Sequence, residues 1–271
     1  MKSASQKMAR CVRESILRMT SHAKAAHVGS CLSVADILAV LYGEVLKVNP
    51  LKPAWPDRDR FILSKGHAAA ALYAVLAERG FFAKKKLNTF CQNGSSLAGH
   101  ATHHGVPGVE VSTGSLGHGL GLGCGMALAA QKDKKKNRVF VLISDGECDE
   151  GSTWEAALFA AHHRLDRLTV IVDYNKIQSF GSVKDVLGLE PLAQKWRAFG
   201  WSVEEVNGHD HTRLAKAFKR LPWKAGKPSC LIAHTVKGKG VSFMENKLAW
   251  HYQSLTAEQL LSALDEIHSK S

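Results

Sequence analysis

Apolar runs of strand length alternate with segments of helical length along most of this 271-residue chain. That alternation predicts an α/β fold, an open and mostly parallel sheet flanked by helices. Runs 139–143 and 168–172 are almost wholly apolar, so strands formed there should be buried on both faces. Weaker strand candidates are 61–63, 201–206 and 230–234. Apolar positions at helical spacing predict helices over 34–46, 68–79, 116–131, 153–163, 191–199 and 213–221. Thr256-Ala257-Glu258-Gln259 reads as a capping box opening a late helix that carries Leu260, Leu261 and Leu264. No repeat, low-complexity segment or Pro/Gly/Ser-rich linker divides the chain. Residues 1–271 are therefore expected to form a single domain, with 237–271 as a C-terminal extension.

The N-terminal stretch 1–26 is basic and poor in acids, as transit peptides are. It also places Val12, Ile16, Leu17 and Met19 on or near one helical face, and the helix is the preferred reading. No apolar run approaches the ~20 residues that span a bilayer, so a soluble, cytoplasmic protein without membrane association is expected. Six cysteines without a C-x-x-C pair argue against a zinc site or a disulfide framework. Cys148 has acidic neighbours, which disfavour a reactive thiolate. The net charge of +12 could mark a nucleic-acid binder. The basic residues are dispersed, however, and the dense run 132–138 has no interleaved aromatics, so a solvated turn is the better account. Phosphorylated substrates, an anionic cofactor or an acidic partner subunit would each explain part of the excess.

In open α/β sheets, ligands bind beyond the carboxyl ends of the strands. The first strong run is followed by Ser144-Asp145-Gly146-Glu147-Cys148-Asp149-Glu150-Gly151, and the second by Asp173-Tyr174-Asn175-Lys176-Ile177. The residues intervening between Gly146 and Asn175 (147–174) suffice for a helix and a strand. A carboxylate and an amide should then emerge on neighbouring strand ends, an oxygen pair suited to Mg²⁺. Gly146 lets the backbone approach a phosphate, and the helix beyond it offers amide donors. Two ordinary strand-to-helix turns would also contain Asp, Asn and Gly.

Ser144-Asp145-Gly146 through Asn175 resembles the signature of thiamine-diphosphate enzymes, Gly-Asp-Gly followed roughly 25–30 residues later by Asn. Ser144 replaces the first glycine. Further blocks resemble transketolase in the family's order: His27-Val28-Gly29-Ser30, Ser64-Lys65-Gly66-His67, Ala98-Gly99-His100, Gly108 through Gly119, and Lys237-Gly238-Lys239-Gly240 followed by Trp250-His251-Tyr252. The resemblance implies Mg²⁺ ligation by Asp145, Asn175 and the Ile177 carbonyl. It implies that His67, His251 and the Gly146 amide hold the diphosphate, that Gly114 and Leu116 meet the rings, and that Glu147, Asn175 and Lys237 belong to the cofactor side. His27, His100 and His251 would serve catalysis, the first two facing the reactive carbon and the substrate hydroxyls. Glu150 matches an acid near the family's subunit interface, where it would couple two sites or favour a helix N-terminus. His118 occupies a position usually polar in the family, and Tyr252 stands where a glycine often follows the Trp-His pair.

The glutamate that activates thiamine diphosphate in this family belongs to a second domain. The chain's length resembles that of split transketolases, which implies that it joins a C-terminal partner subunit in a two-plus-two assembly. The expected activity is transfer of a two-carbon ketol unit from a ketose, such as a sugar phosphate, to an aldose. The alternatives are a carboligase using a modified sugar, or a cofactor-binding module without chemistry. A pyruvate donor is disfavoured by His100, whose implied role is to bind the donor's C1 hydroxyl.

Overall fold

A computed structural model describes residues 3–269; Met1 and Lys2 of the expected first helix, and Lys270 and Ser271 of the polar tail, lie outside the described residues. The strands are β1 (Arg60–Leu63), β2 (Val139–Ser144), β3 (Leu168–Tyr174), β4 (Ser202–Asn207) and β5 (Ser229–His234). The helices are α1 (Ala4–His22), α2 (Val28–Ser33), α3 (Ala35–Val40), α4 (Ala69–Glu78), α5 (Gly119–Lys132), α6 (Gly151–His162), α7 (Val183–Val186), α8 (Leu192–Ala198), α9 (His211–Lys219) and α10 (Ala257–Ser269).

The strands form one parallel sheet in the order β1-β2-β3-β5-β4. Every residue of β2 and β3 is buried, as continuous apolar strands between two helical layers require. Alternate side chains feed two cores. Phe140, Leu142 and Ile171 join the layer built on α1, α3, α4, α9 and α10. Val139, Val141, Ile143, Val170 and Val172 join the layer of α5, α6 and α8. Each such side chain contributes on the order of 1.5–3 kcal/mol by burial. β4 is half-exposed and carries Glu204 and Glu205, charges that suit an edge strand.

Sequence and structure differ at two helix starts. The segment expected as one helix over 34–46 holds α3 and a wide turn, Leu41–Val45, and a separate short helix, α2, breaks off just before it at Val34. The Ser33 hydroxyl lies within bonding reach of the Ser30 carbonyl (3.0 Å) and the Asp173 carboxylate (2.7 Å), so a tertiary partner acts at the break. The helix expected from 116 begins at Gly119, because Gly117 adopts φ +81°, outside the helical region. The capping box at Thr256 is present: its amide meets Gln259 Oε1 at 3.0 Å, and Gln259 N meets its hydroxyl at 3.2 Å. The basic run joins α5 to β2, with Lys135 on Asp57 (2.8 Å) and Arg138 on Asp59 (2.6 Å). No helix among the described residues is long and apolar enough to cross a membrane.

Candidate functional site

Pairing register decides what meets at the sheet's carboxyl edge. Leu63 pairs with Leu142, Ser144 with Asp173, and Tyr174 with His234. The segments after β1, β2, β3 and β5 therefore emerge side by side, and with residues from 27–30, 100–116 and 251 they wall a cavity of about 380 Å³.

A buried charge pair forms its base. Lys65 Nζ lies 2.5 Å from Asp173 Oδ2 and 3.2 Å from the Ser30 carbonyl. Asp173 also accepts from Ser33 Oγ (2.7 Å), from Asn175 Nδ2 (3.1 Å) and from the Thr235 hydroxyl. Burial works against ionisation of Asp173, yet Lys65 and these donors hold its carboxyl below the usual range. The bond to Asp173 also orients the Asn175 amide, whose Oδ1 receives the Ile177 N–H at 3.1 Å. One strand away, Asp145 accepts from the Gly146 amide (2.8 Å) and the Lys176 amide (2.7 Å). Burial, then the charge of Asp173, pushes its pKa up to about 6.

Four histidines from separate segments meet above this base. The His27 ring lies 5.3 Å from His67, 5.8 Å from His100 and 5.0 Å from His251, and His67 lies 5.7 Å from His251. His27 precedes α2 at φ 71°, a left-handed conformation costing a non-glycine residue about 1–3 kcal/mol. Its amide donates to the His251 carbonyl at 2.9 Å, which ties the two segments together. The Tyr73 hydroxyl, on α4, donates to the His100 carbonyl at 3.1 Å. Lys237 Nζ donates to the Ile177 carbonyl (3.0 Å) and to His251 Nδ1 (2.7 Å). Burial and the neighbouring cations bring His27 to about 4, His251 to about 3 and Lys237 to about 8. The His27 and His251 imidazoles are therefore neutral near pH 7, able to accept or pass a proton. The two ammonium groups make the inner end attractive to an anion.

Of the residues singled out from sequence, His27, His67, His100, Gly114, Leu116, Asp145, Gly146, Asn175, Ile177, Lys237 and His251 all line this cavity. Glu147 does not. Its carboxylate is fully buried and accepts from the Ser64 hydroxyl, the Gly117 amide (3.0 Å) and the Ser144 amide (3.3 Å). Three converging donors turn it inward as a brace between loops, off the lining of this cavity. Glu150 lies at the cavity edge, directly before α6 and without a side-chain capping bond. His118 is exposed, and its Nδ1 lies 3.0 Å from the Leu116 carbonyl. The Tyr252 hydroxyl donates to Ser179 O at 3.1 Å, beside the exposed Phe180. Burial, then the charges of Asp145, Glu147 and Asp149, drives the Cys148 thiol well above its ordinary range. Ser30, Lys65 and Gln178 also line the cavity although their sequence context suggested no role. For Lys65 the available signal was a lysine directly after an apolar strand, where burial requires a partner.

Asp145, the Asn175 amide oxygen and the Ile177 carbonyl supply one carboxylate and two neutral oxygens, a donor set fitting Mg²⁺. The Ile177 carbonyl has two lone pairs, so a bond from Lys237 leaves it ligating capacity. Among the described residues no group of three His, Cys, Asp or Glu could hold a metal ion.

Residues 4–267 match the family described as transketolase, thiamine diphosphate binding domain. The chain is 43% identical over 98% of its length to the 6-deoxy-6-sulfo-D-fructose transketolase subunit of Clostridium sp., covering 96% of that protein. It is also 43% identical to one subunit of the apulose-4-phosphate transketolase of Phocaeicola vulgatus, over 95% of this chain and 92% of that one. The solved transketolase of Campylobacter jejuni superposes with a TM-score of 0.92 at 33% identity; 99% of this chain is covered but 43% of that one. The chain thus spans about two fifths of the solved transketolase and nearly all of the two subunits.

Proposed function

Because the chain belongs to the transketolase thiamine-diphosphate-binding-domain family, we propose that it is the cofactor-binding N-terminal subunit of a split transketolase. In this reading it works with a C-terminal partner subunit in a two-plus-two cytoplasmic assembly, transferring a two-carbon ketol unit from a ketose to an aldose. The observation that carries the proposal is the convergence at one cavity of three cation-ligating oxygens, two ammonium groups and four histidines. Thiamine diphosphate, when bound, supplies the electron sink that such a transfer requires. Asp145, Asn175 and the Ile177 carbonyl hold Mg²⁺. His67, His251, Lys237 and the Gly146 amide hold the diphosphate end. Gly114 and Leu116 position the rings. His27 and His100 face the substrate, where imidazoles exchange protons with hydroxyl groups.

A donor sugar with a modified, anionic tail is a second reading within this proposal. It is favoured by the names of the two relatives that match along nearly their whole lengths, one a sulfo-sugar and one a sugar-phosphate transketolase subunit.

Titration calorimetry with thiamine diphosphate and Mg²⁺, on the chain together with its partner, tests the site. Asp145→Ala should weaken binding at least about tenfold, the scale of a lost charged contact. Asn175→Ala should act in the same direction but less, since it removes a neutral ligand. Unchanged affinity in Asp145→Ala would remove the metal assignment.

A further inference from the structure

We infer that His209 is a positioning residue for the Lys237 side of the cavity, acting through the backbone of the loop that carries Lys237. The inference rests on the reading above that Lys237 faces the cofactor. His209 lies between β4 and α9 and does not line the cofactor cavity. Its Nε2 lies 2.9 Å from the Val236 backbone nitrogen, and its Nδ1 lies 2.7 Å from Asp36 Oδ2.

These two contacts fix the state of the ring. A backbone N–H can only donate, so Nε2 must present its lone pair to Val236. The ring proton of neutral His209 is then on Nδ1, where the Asp36 carboxylate receives it. Asp36 is nearly buried in the first turn of α3. It also takes both ends of the Arg13 guanidinium, at 2.9 and 2.6 Å, and His211 Nε2 at 2.9 Å. Burial opposes its charge, but Arg13 and the two histidines hold its pKa well below the ordinary carboxylate range.

Arg13 in turn donates from Nε to the Lys239 carbonyl at 3.1 Å. One carboxylate therefore fixes two anchors of the same loop, an imidazole at Val236 and a guanidinium at Lys239. Between them stands Lys237, whose ammonium must reach both Ile177 O and His251 Nδ1. Gly238 N holds the loop a third time, on the Gly29 carbonyl at 2.9 Å. Loss of the His209 anchor should therefore loosen the loop without detaching it. A shift of a fraction of an ångström is enough to spoil a preorganised contact.

Two conservative variants separate this role from a purely structural one. His209→Gln places an amide oxygen where Nε2 stood and keeps an acceptor for Val236, while losing the bond to Asp36. His209→Asn keeps a donor for Asp36 and loses the acceptor. Thiamine diphosphate and Mg²⁺ are titrated into each variant with its partner, and Tm is recorded in parallel. His209→Asn should weaken cofactor affinity about threefold to tenfold, the size of one lost neutral hydrogen bond. His209→Gln should remain within about twofold of the unmodified protein on that same scale. In a Lys237→Met background, His209→Asn should add no further loss, because its effect runs through the missing ammonium. Full affinity in His209→Asn, the reverse order of the two variants, or additive losses in the double variant would overturn the inference. If Lys237→Met alone leaves binding unchanged, the site reading fails at its own residue, and the role of His209 falls with it.

Discussion

His67 and His100 face one cavity from different supports. His67 sits in the tight turn directly after β1, half-buried on the inner wall, whereas His100 is exposed on a segment held by Tyr73. His67→Ala should therefore raise the Kd for thiamine diphosphate. His100→Ala should lower kcat/KM for the donor at saturating cofactor and leave that Kd close to its original value. Interchanged effects in calorimetry and steady-state kinetics would show the two loops to be misassigned. His27 yields a pH prediction. Burial, then His100, Lys237 and Lys65, lowers its pKa to about 4, against about 6.5 in an unfolded chain. As pH falls below about 6.5 the unfolded state binds a proton that the folded state refuses until about 4, so stability declines across that window. His251, held at about 3, adds a slope of the same sign. Tm followed from about pH 7 to pH 4 should fall less steeply in His27→Gln; an unchanged slope would show that His27 does not carry this term.

At the scale of elements, the site depends on loops packed backbone to backbone. A Cβ on Gly66 would meet the Thr113 carbonyl oxygen at 2.5 Å and the Gly114 amide nitrogen at 2.8 Å. The two segments are held together there, with Ala101 N on Gly66 O at 3.1 Å and the Thr113 hydroxyl on Leu63 O at 2.6 Å. Gly66→Ala must push the strap carrying Gly114 away from the turn carrying His67. The expected outcome is lower Tm, by an overpacking cost of about 1–3 kcal/mol, together with weaker cofactor binding. Wild-type affinity in a folded Gly66→Ala protein would show that the strap does not need this approach.

For the whole molecule, the decisive expectation concerns assembly. In the family pattern, the glutamate that activates the cofactor's aminopyrimidine ring lies on the C-terminal half. The chain alone, supplied with thiamine diphosphate and Mg²⁺, should show essentially no ketol transfer. Mixing with the C-terminal subunit should restore transfer and tighten cofactor binding together, because assembly covers the ring end of a ligand otherwise open to water. A transfer assay before and after mixing decides this, and robust turnover by the chain alone would exclude the split-enzyme reading.

Local pattern carried much of this molecule. The runs around 139–143 and 168–172 specified two strands buried on both faces, and the polar residues after them placed Asp145, Asn175 and Ile177 at one edge. Side-chain periodicity is a property of neighbouring residues, so it can be read without knowing what packs against them. The tertiary structure alone decided the insertion of β5 between β3 and β4, which brings Lys237 beside Ile177. It decided that Lys65 pairs with Asp173 and that Glu147 turns away from the cavity. It also decided that Ser33, just ahead of the expected helix, meets Asp173 where α2 gives way to α3. The reason is common to all four: a polar group's partner depends on which distant segments the packed sheet brings within hydrogen-bonding range. Burial makes an unpaired group costly, so those distant partners fix the final geometry.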